Sequence, residues 1–307
     1  MTSTTSTTDP APAPTRGGSP LAVGVIGVGA MGGPMAARMR DAGLAVRAVD
    51  VSADRVAAMA DLGIPAGTDL DLLAGVDVVV AMVATGDQLL ALLDADVVRD
   101  GGLDGAVLVA ASTVGPDVLR TASTRAATHG IAVVDCPVTG GVAGAVAGTL
   151  TLLVSGAPDD VERARPALEP VGVVHVVGEA PGDGQAFKVL NQMLVSVHLA
   201  AAGEAIAFAE RLGLDLDVVN RILPTGAAAS WMLADRGPRM ALPADQRPTE
   251  TRLSIFVKDS GLVADAVAAT GAHAPILTAA RAAWVRAHEL GLDDGDDSGI
   301  ADVFRAG

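Results

Sequence analysis

The chain of 307 residues contains no tyrosine and a single cysteine, and aromatic side chains make up only 2% of it. Without tyrosine, no mechanism in which a phenol transfers the proton is possible. The one cysteine, Cys136, excludes a disulfide framework within a monomer and favours a reducing compartment, so a cytoplasmic location is expected. The hydrophobic content of 50% is still enough to bury a large core.

Positive charge is also scarce, and the formal net charge is −15. This balance argues against nucleic acid or an anionic membrane as a partner. Any anionic ligand must therefore be held by local cations and backbone N–H groups. The apolar runs are short and interrupted by Asp, Gly or Pro, so none is expected to reach the ~20 residues that span a bilayer. The five histidines are scattered without partners at ligand spacing, and no metal site is expected.

Two regions of different periodicity follow a polar tail. Residues 1–20, mostly Thr, Ser, Pro and Ala, are expected to be disordered. Over 21–181, short strands alternate with helices, which predicts a doubly wound, mostly parallel sheet. Strands are predicted near 21–26, 45–50, 77–83, 106–111, 131–135, 150–154 and 173–177, with helices starting near Met31, Ser52, Thr85, Pro116 and Asp159. Over 182–307, apolar residues recur at helical spacing, most clearly in 185–212 and 249–270, which predicts an all-helical domain.

A glycine-rich loop follows the first predicted strand directly. Its residues are Gly27, Val28, Gly29, Ala30, Met31 and Gly32. Gly-x-Gly-x-x-Gly between a strand and a helix is the dinucleotide-binding signature of the Rossmann fold, although the pattern alone is weak in a chain with 36 glycines. The alternative is a strand-turn-helix unit that binds nothing. The context favours a dinucleotide, with its pyrophosphate on the helix N-terminus and all six loop residues in contact with it.

The choice between NAD and NADP depends on Asp50, which ends the second predicted strand. A carboxylate about 20 residues beyond the glycine loop accepts hydrogen bonds from the adenosine ribose. It also repels a 2′-phosphate, and the following Val51 and Ser52 offer no cation to bind one. Arg55 is the only nearby cation and lies a full turn later. The sequence therefore predicts NAD rather than NADP.

Three more segments are expected at the carboxyl ends of the strands, where open α/β sheets bind ligands. Met82 and Val83 end one strand and are predicted to contact the cofactor. Ser112 and Thr113 follow the next strand, and their hydroxyls either contact ligands or cap the helix after Pro116. The turn Thr139-Gly140-Gly141 presents converging N–H groups that suit a carboxylate, while Asp135 is expected to hold that turn in place.

Lys188 is the principal catalytic candidate. It lies in Gly182-Asp183-Gly184-Gln185-Ala186-Phe187-Lys188, just inside a predicted helix, and Asn191 and Gln192 follow at spacings of three and four on the same face. Taken alone, such a lysine is usually a solvated surface residue.

Four motifs in order over residues 21–305 resemble the β-hydroxyacid dehydrogenase family, which includes 3-hydroxyisobutyrate dehydrogenase. They are Gly27-x-Gly29-x-Met31-Gly32-x-x-Met35-Ala36, Asp135-x-Pro137-Val138-x-Gly140-Gly141, Gly182-x-Gly184-x-x-x-Lys188 and Lys258-Asp259. The resemblance implies a Rossmann domain followed by an all-α domain, usually in homodimers or homotetramers. Ser230-Trp231-Met232, Asp296-Asp297-Ser298 and Gln192 resemble the NAD-dependent L-threonate dehydrogenase branch, from which Ala229 and Ala111 depart.

The same resemblance implies roles for individual residues. Lys188 is the general base that takes the hydroxyl proton while hydride passes to NAD, and Gln192 or Asn191 assists it. The substrate carboxylate is bound by Ser112, Thr139, Gly140 and Gly141, and Trp231 lies beside the substrate. The cofactor is also contacted by Thr113, Phe256 and Lys258. The expected substrate is a small hydroxy acid like L-threonate or 3-hydroxyisobutyrate. The alternatives are an imine reductase, which places Asp or Tyr at position 188, and a non-catalytic dinucleotide-binding protein.

Overall fold

The computed structural model describes residues 20–306. Its strands are β1 Ala22–Ile26, β2 Ala45–Val49, β3 Ala66–Gly67, β4 Val78–Ala81, β5 Val107–Ala110, β6 Ala132–Asp135, β7 Val138–Thr139, β8 Leu150–Ser155 and β9 Gly172–Gly178. Its helices are α1 Gly32–Asp41, α2 Ala53–Asp61, α3 Gly86–Leu92, α4 Asp96–Arg99, α5 Pro116–Ala127, α6 Gly141–Ala147, α7 Pro158–Leu168, α8 Asp183–Arg211, α9 Leu216–Ile222, α10 Trp231–Met240, α11 Leu253–Thr270, α12 Pro275–Glu289 and α13 Ile300–Arg305. The predicted tail lies outside the described residues, apart from Pro20.

The chain divides into two compact units, of which the first ends at Gln185 and the second begins at Ala186. The first unit contains one sheet with the strand order β3-β2-β1-β4-β5-β6-β8-β7, and β9 pairs with β8. The strands from β1 to β6 are parallel where they pair, whereas β8 runs antiparallel to β6 and β7. The predicted doubly wound, mostly parallel sheet is confirmed. Its strand order reverses between β1 and β4, the place where such sheets bind ligands.

Both faces of the sheet are buried. Along β4, Val78 and Val80 belong to one apolar cluster, and the alternate residues Val79 and Ala81 belong to another. This alternation places the clusters on opposite faces, because successive strand side chains point in opposite directions. Each face is covered by helices, as expected for parallel strands that are apolar on both sides.

The second unit consists of helices around its own apolar core, as predicted. Trp284 is fully buried there, stacks on Phe256 with ring centroids 5.2 Å apart and donates a hydrogen bond from Nε1 to the carbonyl oxygen of Ser196. The sequence indicated only the two long helices, α8 and α11. The helices α9, α10, α12 and α13 were missed, because they are shorter than α8 and α11.

Paired charges join α10 to the segment before α13. Arg236 contacts both carboxylate oxygens of Asp297 through Nε at 3.2 and 3.1 Å, and Arg239 Nε lies 3.1 Å from Asp296. Burial raises the pKa of Asp297 to about 6, and the nearby guanidinium of Arg236 opposes this rise. The Asp-Asp-Ser motif therefore stabilises the fold of this unit rather than presenting carboxylates to a ligand.

Helix α8 is, among the described residues, the one helix long and apolar enough to cross a membrane by length and composition alone. Its longest stretch without a charged residue is 189–203, below the ~20 residues that span a bilayer, so the expectation of short apolar runs is not contradicted. Half of its apolar stretch is buried inside the protein, as in the core helix of a globular domain.

Candidate active site

The glycines of the loop after β1 differ in what a Cβ at each position would meet. Gly27 has φ +84°, and a Cβ there would overlap the carbonyl oxygen of Met82. A Cβ on Gly32 would overlap the carbonyl oxygen of Gly27. A Cβ on Gly29 would meet only the guanidinium of Arg55, at 3.4 Å. Gly27 and Gly32 are thus required by the turn, and Gly29 leaves room for a ligand.

Asp50 lies directly after β2 and is 5% exposed. Its carboxylate accepts hydrogen bonds from the backbone N–H of Val28 and of Ser52, both at 2.9 Å. The guanidinium of Arg55 lies 3.3 Å away and is half-exposed. These contacts hold the carboxylate beside the glycine loop, where its remaining lone pairs suit the hydroxyls of a ribose.

The loops after β4 and β5 contain the next predicted residues. Met82 and Val83 are half-buried. Ser112 is buried and donates its hydroxyl to the carbonyl oxygen of Ala81 at 3.3 Å, and Thr113 is half-buried. Helix α5 starts after Gly115 without a side-chain cap, so the alternative capping role of the two hydroxyls is not observed.

Thr139 ends β7, Gly140 follows it, and Gly141 begins α6. The two glycines have φ +124° and +61°, values that side chains with a Cβ rarely adopt. Both glycines are exposed and Thr139 is half-buried. The backbone can therefore offer N–H groups to a carboxylate without obstruction by side chains.

Helix α8 has a buried face that is polar at its beginning. Gln185, Lys188, Gln192 and Ser196 are each at most 7% exposed and recur at spacings of three and four. Leu199 continues the face, which is apolar from there on. Burying several polar side chains in a row is unfavourable unless they are paired, and Gln185 and Gln192 are hydrogen-bonded to buried groups.

Lys188 is 6% exposed, and burial lowers its pKa to about 8. The carboxylate of Asp259 opposes this change because it stabilises the ammonium, and the ammonium of Lys258 reinforces it. Lysine is thereby brought within reach of a neutral, proton-accepting state near physiological pH.

Asp259 connects the other polar groups of the second unit. It is 4% exposed, accepts a hydrogen bond from Gln192 Nε2 at 2.5 Å and lies 3.2 Å from the ammonium of Lys258. Asn191 donates to Gln192 Oε1 at 2.9 Å, so the amide of Gln192 is held at both ends. The structure brings Lys188, Asn191, Gln192 and Lys258 together around Asp259. Because the Asp259 carboxylate is buried, Lys258 and Asp259 do not form an ordinary surface ion pair.

Two predicted aromatic residues have different surroundings. Trp231 is 62% exposed, with the guanidinium of Arg236 5.4 Å from its ring centre. Phe256 is 5% exposed and packs on Trp284 in the core of the second unit. The burial of Phe256 and its stacking on Trp284 support a packing role rather than contact with a cofactor.

Sequence reasoning missed Asp259 and Gln185. Asp259 lies on the face of α11 that buries Leu253, Phe256 and Val263, so a carboxylate at core spacing was the available signal. A second signal is composition: the chain has only two lysines, Lys188 and Lys258, and both belong to this cluster. Within residues 20–306, no three His, Cys, Asp or Glu side chains are grouped so as to hold a metal ion.

Comparisons with known proteins cover both units. A family model described as the NAD binding domain of 6-phosphogluconate dehydrogenase matches residues 22–178. A second, described as NAD-binding of NADP-dependent 3-hydroxyisobutyrate dehydrogenase, matches residues 182–304.

Individual relatives match over nearly the whole length. L-threonate dehydrogenase from Cupriavidus necator is 34% identical over 92% of this chain and 95% of its own. The crystal structure of 3-hydroxyisobutyrate dehydrogenase from Salmonella typhimurium has a TM-score of 0.84 at 29% identity and covers 92% of this chain and 100% of that one. The structure of Mycobacterium tuberculosis 3-hydroxyisobutyrate dehydrogenase with L-serine has a TM-score of 0.82 at 30% identity, covering 93% and 99%.

Proposed function

Since the chain belongs to the NAD(P)-dependent hydroxyacid dehydrogenase family that includes the 3-hydroxyisobutyrate and L-threonate dehydrogenases, we propose that it oxidises a small hydroxy acid resembling L-threonate. In this proposal NAD is the acceptor and Lys188 the general base. The observation that supports it most directly is the burial of Lys188, which lowers its pKa to about 8. A lysine with an ordinary pKa would be protonated at neutral pH and unable to accept the hydroxyl proton.

The residues around the glycine loop fit a dinucleotide. Gly29 leaves open the space that a Cβ would fill, and the N-terminus of α1 follows. We propose that Gly27–Gly32 hold the pyrophosphate and that Asp50 accepts the ribose hydroxyls, with Met82, Val83 and Thr113 completing the site. NAD, when bound, supplies the hydride acceptor. Asp50 disfavours a 2′-phosphate by charge repulsion, which supports NAD over NADP.

Lys188 would take the proton from the substrate hydroxyl as the C–H bond is broken, and in the reverse direction its ammonium would return that proton. The contacts of Gln192 suggest that it positions the substrate. Because Asp259 engages its Nε2 and Asn191 its Oε1, its amide is oriented before substrate arrives. We propose that Gln192 hydrogen-bonds the substrate hydroxyl from this fixed orientation, and that Lys258 contacts the cofactor.

The substrate carboxylate needs local hydrogen-bond donors, because the net negative charge of the protein repels an anion. We propose that the backbone of Gly140 and Gly141 and the hydroxyl of Thr139 bind it, joined by the hydroxyl of Ser112 once this turns away from the Ala81 carbonyl to which it donates in the described structure. Trp231, exposed in the described structure, is proposed to contact the remainder of the substrate.

The experiment is NADH formation with L-threonate, 3-hydroxyisobutyrate and D-glycerate, each with NAD and with NADP. We expect turnover with at least one acid and a preference for NAD. Lys188→Ala should lower kcat by roughly 100- to 10,000-fold, the usual contribution of a general base. Arg281→Ala, which removes an exposed cation of α12, serves as the control. Near-normal turnover by Lys188→Ala would refute the assignment, and reduction of a cyclic imine without oxidation of any hydroxy acid would favour an imine reductase.

We also propose that a second copy covers an apolar stripe on α8. Phe187, Leu190, Leu194 and Phe208 are each between 50% and 62% exposed. Their spacing fits a repeat of 3.5 residues, which allows two equivalent helices to pack about a two-fold axis. Light scattering should show that Leu190→Glu reduces the assembly to smaller species, whereas Ile276→Glu, at a residue of α12 that is 65% exposed, should not. A monomeric wild type would refute this pairing.

A further inference from the structure

Gln185 is a fully buried glutamine whose amide uses every hydrogen-bonding position it has. Its Oε1 accepts from the backbone N–H of Val114 at 2.9 Å and of Gly115 at 3.0 Å. Its Nε2 donates to the carbonyl oxygen of Ser112 at 3.0 Å and to Asp135 Oδ1 at 2.9 Å. An amide offers two donor hydrogens and two acceptor lone pairs, so all four are used. Glutamate would lose both donors, and a hydrocarbon side chain would lose all four partners.

Asp135 determines which way this amide faces. Its carboxylate is buried and also accepts from Gln185 N at 2.8 Å and from the hydroxyl of Ser155 at 3.3 Å. An ionised carboxylate only accepts hydrogen bonds, so it requires Nε2 to point toward itself. Oε1 is thereby directed at the two N–H groups of the loop after β5. Asp135 was expected to hold the Thr139 turn, and its contacts instead reach the first turn of α8.

We propose that Gln185 is a positioning residue for the dehydrogenase reaction, fixing the Ser112–Gly115 loop to the first turn of α8. This inference depends on the proposed function, because it assigns the hydroxyls of Ser112 and Thr113 to ligand binding. Lys188 follows one turn later on the same helix. A displaced loop would misplace these hydroxyls, and a misplacement of about 1 Å is enough to lower a rate roughly 100-fold.

The main test exchanges donor and acceptor across the contact between residues 185 and 135. In Gln185→Glu, two acceptors face each other there, and the Ser112 carbonyl loses its donor. We expect kcat/KM to fall about 100-fold, with a raised KM for the hydroxy acid. In Asp135→Asn combined with Gln185→Glu, the Asn amide can donate to the new carboxylate. We expect this double variant to recover roughly tenfold relative to Gln185→Glu.

Two measurements and one control variant separate positioning from general destabilisation. Hydrogen exchange of peptides containing Val114 and Gly115 should accelerate in Gln185→Glu and slow again in the double variant. The rise of kcat/KM near pH 8 that Lys188 produces should stay in place in Gln185→Met, which adds no charge near Lys188. Gln246→Glu changes an exposed glutamine by the same charge and should match the wild type in all assays.

If Gln185→Glu does not fold, Gln185→Met keeps the length of the side chain without placing like charges together, and a fall in kcat/KM of about tenfold or more is expected. An active wild type whose Gln185 variants keep normal kcat and KM while the loop amides exchange faster would overturn the inference alone. A wild type inactive on every hydroxy acid would overturn the proposed function, and this inference with it.

Discussion

The lowered pKa of Lys188 should appear directly in the pH dependence of catalysis. With a pKa of about 8, about one Lys188 side chain in ten is neutral at pH 7. At the ordinary value of 10.5 the neutral fraction would be smaller by roughly 300-fold. For hydroxy acid oxidation, kcat/KM should therefore rise with pH to a plateau above about 8. For the reverse reaction, which needs the ammonium, it should fall through the same pH.

Substitutions of two neighbours of Lys188 should shift, in opposite directions, the pH at which kcat/KM rises (the pH limb). Asp259→Asn removes a charge that stabilises the ammonium, so the pKa of Lys188 should fall and the limb should move to lower pH. Lys258→Gln removes a like charge, so the pKa should rise and the limb should move to higher pH. Asparagine at 259 can still accept the hydrogen bond from Gln192, which keeps the perturbation mainly electrostatic.

The assay is initial NADH formation between pH 6 and pH 10 at constant ionic strength, with NADH consumption measured over the same range. Lys188→Arg is the control, because a guanidinium stays protonated over this whole range, and its activity should be lower by at least roughly 1,000-fold. The reasoning fails if both neighbour variants leave the limb where the wild type has it. It also fails if the rate of the reverse reaction does not fall as the pH rises.

Three further outcomes follow from other contacts. Gly29→Ala should fold normally but weaken NAD binding at least about tenfold in a fluorescence titration. Gly27→Ala should instead lower the melting temperature, because its Cβ would overlap the backbone. The opposite pattern would contradict the different roles assigned to these two glycines. Asp50→Asn removes the charge that repels a 2′-phosphate and should raise the NADP-to-NAD ratio of kcat/KM about tenfold, so an unchanged ratio would argue against its role. Arg236→Met leaves Asp297 buried without its main cation and should cost about 3–5 kcal/mol in urea unfolding at pH 7. The cost should be smaller at pH 5.5, because the pKa of Asp297 is already raised and protonation removes the unpaired charge; an equal cost at both pH values would contradict this account.

Patterns repeated over many residues made most of the fold predictable. Apolar strands alternating with helices indicated the doubly wound sheet, and the glycine loop with Asp50 indicated a dinucleotide site. The short strands β3 and β7, with two residues each, contain too few side chains to show a periodicity. Pairing between β8 and β6 depends on contacts distant in sequence, which local pattern does not report.

The candidate site was predictable where a residue type limits the chemistry. Lys188 stood out by its motif, and it stands out further because 19 of the other 20 Lys and Arg side chains are arginines, which do not release their proton. Asp259 and Gln185 were not identified, because their importance comes from burial and from partners far along the chain. Asp259 meets Gln192 across 67 positions, and Gln185 meets Ser112 across 73. Such pairings are determined by tertiary packing, and one sequence gives no direct sign of them.

Because the two tryptophans have different surroundings, their intrinsic fluorescence should distinguish two regions of the protein. In the absence of tyrosine, ultraviolet emission comes from Trp231 and Trp284 almost alone. Trp284 is sealed in the helical core and should emit at short wavelength, whereas Trp231 is mostly in contact with solvent and should emit at long wavelength. The emission of Trp231→Phe therefore comes from Trp284 and reports unfolding of the core. The wild-type spectrum minus that of Trp231→Phe gives the emission of Trp231, on the surface proposed to contact the substrate. Ligand binding and stability can then be followed separately in the unlabelled protein.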